Sequence, residues 1–178
     1  MRKWALFFIY SLNVLVLNAQ KLKTDDGRKL NFSHFEQTTV LIFFNLECPI
    51  CEKYTKVLTE FQQDSVFKNV EFYGILNDKT TDSQSINHYR QAFNFKVPFV
   101  FDFRKKLQKK LKAEVTPEVF VFNKNGEIIY RGAVDNWFYD FGKSRNKASE
   151  FYLLDALKAA EANQIPTISR TKAVGCYL

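Results

Sequence analysis

Residues 39–51 read TVLIFFNLECPIC, and this stretch decides the predicted fold. Residues 39–44 are β-branched, aromatic or aliphatic throughout, and a run that is apolar on both faces is typical of a strand buried in the centre of a sheet. Pro49 suits the first turn of a helix, where a missing N–H costs nothing. Apolar residues then recur at helical spacing to about residue 63. Cys48 and Cys51 therefore fall at the junction of a buried strand and a helix.

The rest of the chain alternates strand and helix patterns and then ends in a hairpin and a last helix. Strand patterns occupy residues 70–76, 97–102, 118–122 and 127–131, and helix patterns occupy residues 82–93, 104–111 and 148–162. The last two strand patterns flank an Asn-Gly turn, which is a strong hairpin signal. Alternation followed by a hairpin predicts an α/β sandwich with a mixed central β-sheet flanked by helices and an extended C-terminal tail.

The N-terminus has the pattern of a secretory signal peptide. Arg2 and Lys3 precede an apolar run over residues 4–17, and polar residues follow at once. That run is too short for a comfortable membrane span. Ala19 is the predicted cleavage position, and losing the two basic residues lowers the formal net charge from +7 to +5. We expect an exported chain, periplasmic or secreted, with no stable membrane span after cleavage, divided into a signal peptide (1–19), a domain (20–162) and a tail (163–178).

Composition excludes several classes of protein. Nineteen phenylalanines and eight tyrosines indicate a dense aromatic core and argue against disorder. The basic residues of segment 104–112 are not interleaved with aromatic side chains, so they predict a solvated helix face and no nucleic-acid partner. His34 and His88 are interpreted as surface residues, and no cofactor is expected. Three cysteines are too few for a disulfide-stapled scaffold.

The two cysteines of the motif point to dithiol–disulfide exchange. The N-terminus of a helix carries free N–H groups and a partial positive charge, which stabilise a thiolate at Cys48. Cys51 follows one helical turn later, close enough for the two sulfurs to bond. Glu47 places a carboxylate beside Cys48 and opposes thiolate formation to an extent that depends on its direction. The reduction potential and the direction of electron flow therefore stay open.

The chain resembles the thioredoxin superfamily, and within it the redoxin branch of peroxiredoxin-like (AhpC/TSA-type) exported thiol–disulfide proteins. The resemblance spans residues 29–162 and rests on the Cys-x-x-Cys motif, on Thr116-Pro117 and on the hairpin that follows. It implies a thioredoxin-like sandwich in which Pro117 is a cis-proline facing the cysteines. It also implies that Thr116 and Pro117 hold the backbone of a substrate.

The function implied by motif and resemblance is that of an extracytoplasmic thiol–disulfide oxidoreductase. Cys48 would attack, and Cys51 would resolve the mixed disulfide. Its expected partners are protein or small-molecule thiols and disulfides, together with a redox partner protein. A thiol peroxidase using Cys48 is an alternative, although Leu41 and Asn45 stand where peroxiredoxins place a proline and a threonine or serine.

Cys176, the third residue from the end, leaves three readings open. It is a resolving thiol that bonds Cys48 in the same chain or in another subunit, a third soft ligand beside Cys48 and Cys51, or a free thiol on the tail. Three thiolate ligands would suit Cu(I), and the chain would then be a Cu(I)-binding carrier or assembly factor. Gly175 allows a tight turn before the cysteine.

Overall fold

The computed structural model describes residues 21–32 and 35–178, so the predicted signal peptide and His34 lie outside the described residues. The helices of these described residues are α1 (Pro49–Gln63), α2 (Ser83–Phe93), α3 (Lys106–Leu111) and α4 (Tyr152–Glu161). The strands, in chain order, are β1 (Lys21–Lys23), β2 (Lys29–Asn31), β3 (Thr38–Phe43), β4 (Val70–Leu76), β5 (Phe99–Phe101), β6 (Val115–Thr116), β7 (Glu118–Phe122), β8 (Ile128–Gly132), β9 (Phe138–Asp140), β10 (Lys143–Ser144) and β11 (Cys176–Tyr177). A short 3-10 helix occupies Ser65–Phe67.

The central sheet has five strands in the order β5-β4-β3-β7-β8. Strands β3, β4 and β5 are parallel, whereas β7 is antiparallel to both β3 and β8. The crossover helices connect the parallel strands, and the Asn-Gly turn connects the antiparallel pair, as the sequence predicts. The sheet is therefore mixed, and the prediction of an α/β sandwich is confirmed.

Both faces of the sheet are covered. Val40 and Ile42 of β3 face a cluster that includes side chains of α1, α2 and α4. Leu41 and Phe43 face a second cluster that includes Leu107 and Leu111 of α3. Because neighbouring residues of a strand point to opposite faces, a strand buried on both sides must be apolar at every position. This explains the uninterrupted apolar run that precedes Cys48.

The start of α4 and the end of the C-terminal tail are among the differences from the sequence prediction. Helix α4 begins at Tyr152, four residues later than expected, because the backbone N–H groups of Ser149 and Glu150 donate to Oδ1 of Asn136 instead of entering a helix. The C-terminal tail is extended as expected, but its end forms the strand β11, which the sequence does not indicate. None of the helices in the described part of the chain has the length and apolar character needed to cross a membrane.

Candidate active site

Cys48 is the residue that caps the N-terminus of α1, directly after the central strand β3. Its backbone is extended, and Pro49 opens the helix as predicted. The backbone N–H of Cys48 donates to the carbonyl oxygen of Asn45 at 3.2 Å, and its own carbonyl accepts from the N–H of Glu52 at 3.0 Å. The side chain of Cys48 is only 2% exposed. The sulfur thus lies at the positive end of the helix and is almost completely shielded from water.

The loop that holds Thr116 and Pro117 lies against Cys48. The peptide bond between Thr116 and Pro117 is cis, which confirms the prediction for Pro117. The carbonyl oxygen of Thr116 lies 3.3 Å from Sγ of Cys48, across a separation of 68 residues in the chain. The fold thus brings the backbone before the cis-proline into direct contact with the cysteine at the helix end.

The C-terminal strand covers this contact. Strand β11 pairs antiparallel with β6, with Cys176 opposite Thr116 and Tyr177 opposite Val115. The N–H of Leu178 extends the pairing by donating to the carbonyl oxygen of Glu114 at 3.1 Å. Cys176 forms a disulfide with Cys48, and their Cα atoms are 6.1 Å apart, within the range usual for disulfides. The structure therefore joins Cys48 to Cys176 and not to its motif partner Cys51.

Gly175 is packed where no side chain fits. A Cβ atom placed on Gly175 would collide with the carbonyl group of Thr116 and would lie 3.2 Å from the nitrogen of Pro117. A glycine is therefore required here for close approach of two backbones, rather than for a positive φ angle. This contact seats the tail directly on the loop of the cis-proline.

A separate set of contacts anchors the tail upstream of its last strand. The N–H of Arg131 in β8 donates to the carbonyl of Ser169 at 3.0 Å, and the N–H of Thr171 donates to the carbonyl of Arg131 at 3.0 Å. Oγ1 of Thr171 accepts the N–H of Ala133 at 3.0 Å and lies 2.6 Å from the hydroxyl of Tyr130. The tail is thus held to the edge of the main sheet through Thr171, independently of the disulfide.

Cys51 is the free thiol among the described cysteines, and it is completely buried beneath the motif. Burial away from water raises the pKa of the Cys51 thiol to about 12, and the nearby Asn45 backbone and Thr116 hydroxyl oppose that rise only in part. At neutral pH this thiol is protonated and a weak nucleophile in the conformation described.

A largely buried ion pair lies beside the loop of Thr116 and Pro117. Nη2 of Arg131 lies 2.5 Å from Oε1 of Glu118, whose side chain is 7% exposed. The second carboxylate oxygen of Glu118 accepts the N–H of Glu114 at 3.0 Å, and the guanidinium also donates to the carbonyl of Leu111 at 3.1 Å. Arg131 is therefore a structural residue: its guanidinium is paired with Glu118 after β6 and donates to the carbonyl of Leu111 before β6.

Other residues singled out in the sequence have plain structural positions. Glu47 is exposed to solvent, so water screens its carboxylate from Cys48. His88 is exposed on α2. The hydroxyl of Tyr54 donates to the buried carboxylate of Asp135 at 2.5 Å. No three His, Cys, Asp or Glu side chains of residues 21–32 and 35–178 are placed to hold a metal ion.

The structure thus assembles all five residues predicted for the site, which are Cys48, Cys51, Thr116, Pro117 and Cys176. Sequence reasoning missed the roles of Thr171 and Glu118. An isolated threonine in a tail and a glutamate at the start of a strand carry no signal that separates them from surface residues. The sequence predicts only a tight turn at Gly175, whereas its role in the structure is close packing against Thr116.

Comparison with known proteins extends this description. Sporulation thiol-disulfide oxidoreductase A of Bacillus subtilis is 25% identical over 108 residues, which are 60% of this chain and 66% of that protein, so the match spans just under two thirds of the relative's length. An uncharacterized conserved protein from Geobacillus kaustophilus has a solved structure with a TM-score of 0.71 and 22% identity, covering 89% of this chain and 88% of that one.

A secreted Mycobacterium tuberculosis disulfide oxidoreductase homologous to E. coli DsbE also has a similar structure. Its TM-score is 0.55 at 16% identity, covering 82% of this chain and 96% of that one. Similarity at this level establishes the shared thioredoxin-like fold. The model of the AhpC/TSA family matches residues 17–131, which are more than half of the chain, and the chain therefore belongs to the AhpC/TSA family.

Proposed function

We propose that this protein is an extracytoplasmic thiol–disulfide oxidoreductase that exchanges disulfides at Cys48. One observation carries the proposal: Cys48 is disulfide-bonded at the N-terminus of α1 while its sulfur touches the carbonyl of Thr116 before the cis-proline. A sulfur placed in this way is able both to form a bond with an incoming cysteine and to leave as a stabilised thiolate. The name of the Bacillus subtilis relative, a thiol-disulfide oxidoreductase, supports the same activity.

The chemistry follows from the position of Cys48. In an exchange step a thiolate attacks one sulfur of a disulfide, a new sulfur–sulfur bond forms, and the other sulfur leaves as a thiolate. The free N–H groups at the start of α1 stabilise the thiolate of Cys48 when it is released. Glu47 opposes this only weakly because it is exposed. Cys51 and Cys176 are the two thiols of the chain able to resolve a mixed disulfide at Cys48.

Thr116 and Pro117 supply the surface that orients a substrate. The backbone of β6 pairs antiparallel with an extended segment in the structure, so it has the geometry to hold the backbone of a substrate polypeptide next to Cys48. The proposed partners are protein or small-molecule thiols and disulfides, with a separate redox protein to restore the starting state. No cofactor enters this chemistry.

Export is the second part of the proposal. The basic start and short apolar run of residues 1–19 support a cleaved signal peptide, and the similar protein of Mycobacterium tuberculosis is described as secreted. The domain would then comprise residues 20–162 and the tail residues 163–178. The intact mass of the protein recovered outside the cytoplasm should correspond to a chain beginning at Gln20. Recovery only of the unprocessed chain inside the cell would contradict export.

Turnover of a disulfide substrate tests the activity. Reduction of insulin in the presence of dithiothreitol should be accelerated by the wild-type protein and not by Cys48→Ser. Lys56→Ala is the matched control, because Lys56 lies on α1 but its side chain is 87% exposed and its ion pair with Glu60 is a weak surface contact. Wild-type turnover in Cys48→Ser, or a wild-type protein that does not accelerate the reaction, would refute the proposal.

The two alternatives gain no support from the geometry. A thiol peroxidase would need a cation beside Cys48 to activate the peroxide, and the guanidinium of Arg131, which could be such a cation, is paired with Glu118. Its test is the consumption of hydrogen peroxide at a rate above that of free cysteine. A Cu(I) carrier using Cys48, Cys51 and Cys176 would need the disulfide to be reduced first. Its test is an anaerobic titration against a weak chelator.

A further inference from the structure

The C-terminal strand occupies the edge of β6 that a substrate strand would need. Strand β6 has two residues, and both are paired with Cys176 and Tyr177. The same edge carries the carbonyl of Thr116, which contacts Sγ of Cys48. A second extended segment therefore has no backbone left to pair with beside Cys48 while the tail is in place.

The docked segment is attached by few contacts. Upstream, Thr171 is fixed to β8 by its backbone and its hydroxyl. Beyond it, Lys172 is exposed and Tyr177 is 90% exposed. Val174 and Leu178 contact the two core clusters only as half-buried side chains. The segment 172–178 is thus tethered at its upstream end and held at its other end by a short strand pair and one disulfide.

We infer that segment 172–178 is a displacing strand: it takes the edge of β6 from a bound substrate strand and delivers Cys176, rather than Cys51, as the thiol that releases the substrate from Cys48. This inference rests on the proposed function and names the resolving step at the same site. Docking of the tail and cleavage of the mixed disulfide are then one event, because the strand that carries the attacking thiol also removes the substrate backbone.

The exchange balances without an added reagent. The thiolate of Cys176 attacks Sγ of Cys48 in the mixed disulfide, and the Cys48–Cys176 bond forms as the bond from Cys48 to the substrate breaks. The substrate sulfur leaves as a thiolate and takes up a proton equal to the one that the Cys176 thiol gave up. In reverse, a substrate thiolate attacks Sγ of Cys48, expels Cys176 as a thiolate and frees the strand.

The position of the two candidate resolving thiols favours Cys176. Cys51 is fully buried, with no exposure to solvent. Cys176 lies on a half-buried strand that places it in bonding contact with Cys48. The anchor at Thr171 keeps Cys176 near the site when the strand is detached, and a tethered thiol has an effective concentration of the order of millimolar.

Release of a labelled peptide from Cys48 tests the inference. Reduced protein is reacted with a single-cysteine peptide activated as a pyridyl disulfide, attachment to Cys48 is verified by mass mapping, and peptide release is followed in acid-quenched samples. Wild type and Cys51→Ala should release the peptide at similar rates and end with a Cys48–Cys176 bond. Cys176→Ser should release it at least ~10-fold more slowly, since the tethered thiol is lost.

Release from Cys176→Ser within about twofold of the wild-type rate would overturn the inference whatever Cys51→Ala does, since a tethered resolving thiol contributes more than that. Circular dichroism and thermal melting establish that each variant is folded, and mapping of the disulfide in oxidised wild-type protein gives an independent answer. A predominant Cys48–Cys51 bond there would also overturn it. Loss of insulin reduction in Cys48→Ser is unaffected by these outcomes, so the proposed function is judged separately.

Strand displacement has its own test at Gly175. Gly175→Ala keeps Cys176 but places a Cβ against the carbonyl of Thr116, so docking is blocked. We expect slow peptide release, and at least about twofold tighter binding of a serine analogue of the peptide to the reduced protein, because the tail no longer competes for the edge. The control is Lys172→Ala, at an exposed position of the same segment. Wild-type release and affinity in Gly175→Ala would show that strand docking is not part of the step.

Discussion

Reduction of the Cys48–Cys176 disulfide should lower the free energy of unfolding by about 5 kcal/mol. The bond joins residues 128 positions apart, so it closes every element after β3 into one loop. For a loop of that length the chain-entropy relation gives a loss of ~16 to 17 cal/mol/K in the unfolded state, or ~5 kcal/mol at 25 °C. Reduction changes the free energy of the folded state little, since β11 remains able to pair with β6.

Urea unfolding followed by tryptophan fluorescence measures the effect. Trp137 is the one tryptophan of the chain after residue 19, and its ring packs against Tyr54 at 5.8 Å between centroids, so its emission reports loss of the fold. With an unfolding slope of about 2 kcal/mol/M, reduction should move the midpoint by roughly 2.5 M urea. Cys51→Ala serves as the control, since no third thiol is then present to reshuffle the bond.

Coincident unfolding curves for the oxidised and reduced forms of Cys51→Ala would refute this reasoning. They would mean that closing the loop does not restrict the unfolded chain, or that the folded oxidised form is destabilised by an equal amount. A smaller shift in wild type than in Cys51→Ala would instead report exchange of the bond among three cysteines in the unfolded state.

Three further predictions concern the surroundings of the disulfide. Arg131→Ala should destabilise the protein by about 3 kcal/mol in urea unfolding, because it leaves the buried carboxylate of Glu118 without its cation; Lys110→Ala, at an exposed position of α3, should have little effect. Thr171→Val should lower the free energy of unfolding by about 1–2 kcal/mol and speed amide hydrogen exchange in the tail. The reason is that it removes the hydroxyl contact with Tyr130 and the acceptor for the N–H of Ala133. Unchanged hydrogen exchange would contradict the role of Thr171 as an anchor. Cys51, with its pKa raised to about 12, should have only ~1 thiol in 10,000 ionised at pH 8, so iodoacetamide should label it far more slowly in folded than in urea-unfolded protein. Equal labelling of folded and unfolded protein would contradict the burial of Cys51. The raised pKa also means that the protonated Cys51 thiol stabilises the folded state fully below about pH 9 and that this stabilisation declines as the pH rises toward 12, so the urea midpoint should fall over that range.

The regular elements were predictable because their patterns are local. The buried strand before Cys48, the helix opened by Pro49 and the Asn-Gly hairpin each carry their signal within a window of a few residues. The cis bond at Pro117 was predictable only from resemblance.

The pairing of β6 with β11 was not predictable from the sequence. Each strand has two residues and the two lie about 60 positions apart, so there is no periodic pattern to detect. The partner of Cys48 was undetermined for a related reason. Spacing brings Cys51 close along the helix, whereas Cys176 approaches only through the anchor at Thr171 and the packing of Gly175, and both are tertiary contacts. The late start of α4 likewise depends on Asn136, which is distant in sequence.

The anchor at Thr171 also fixes the length of chain available to reach Cys48. Cys176 lies five positions after Thr171, and an extended chain of that length spans at most ~17 Å. Both ends of this segment are fixed, by the contacts of Thr171 with Ala133 and by the packing of Gly175 on Thr116, so the number of residues between them determines which side chain faces Cys48. One residue inserted after Lys172 would turn Cys176 away from Cys48 or push Gly175 off the carbonyl of Thr116. Disulfide exchange at this site thus depends on the number of residues between Thr171 and Cys176 as well as on the thiols.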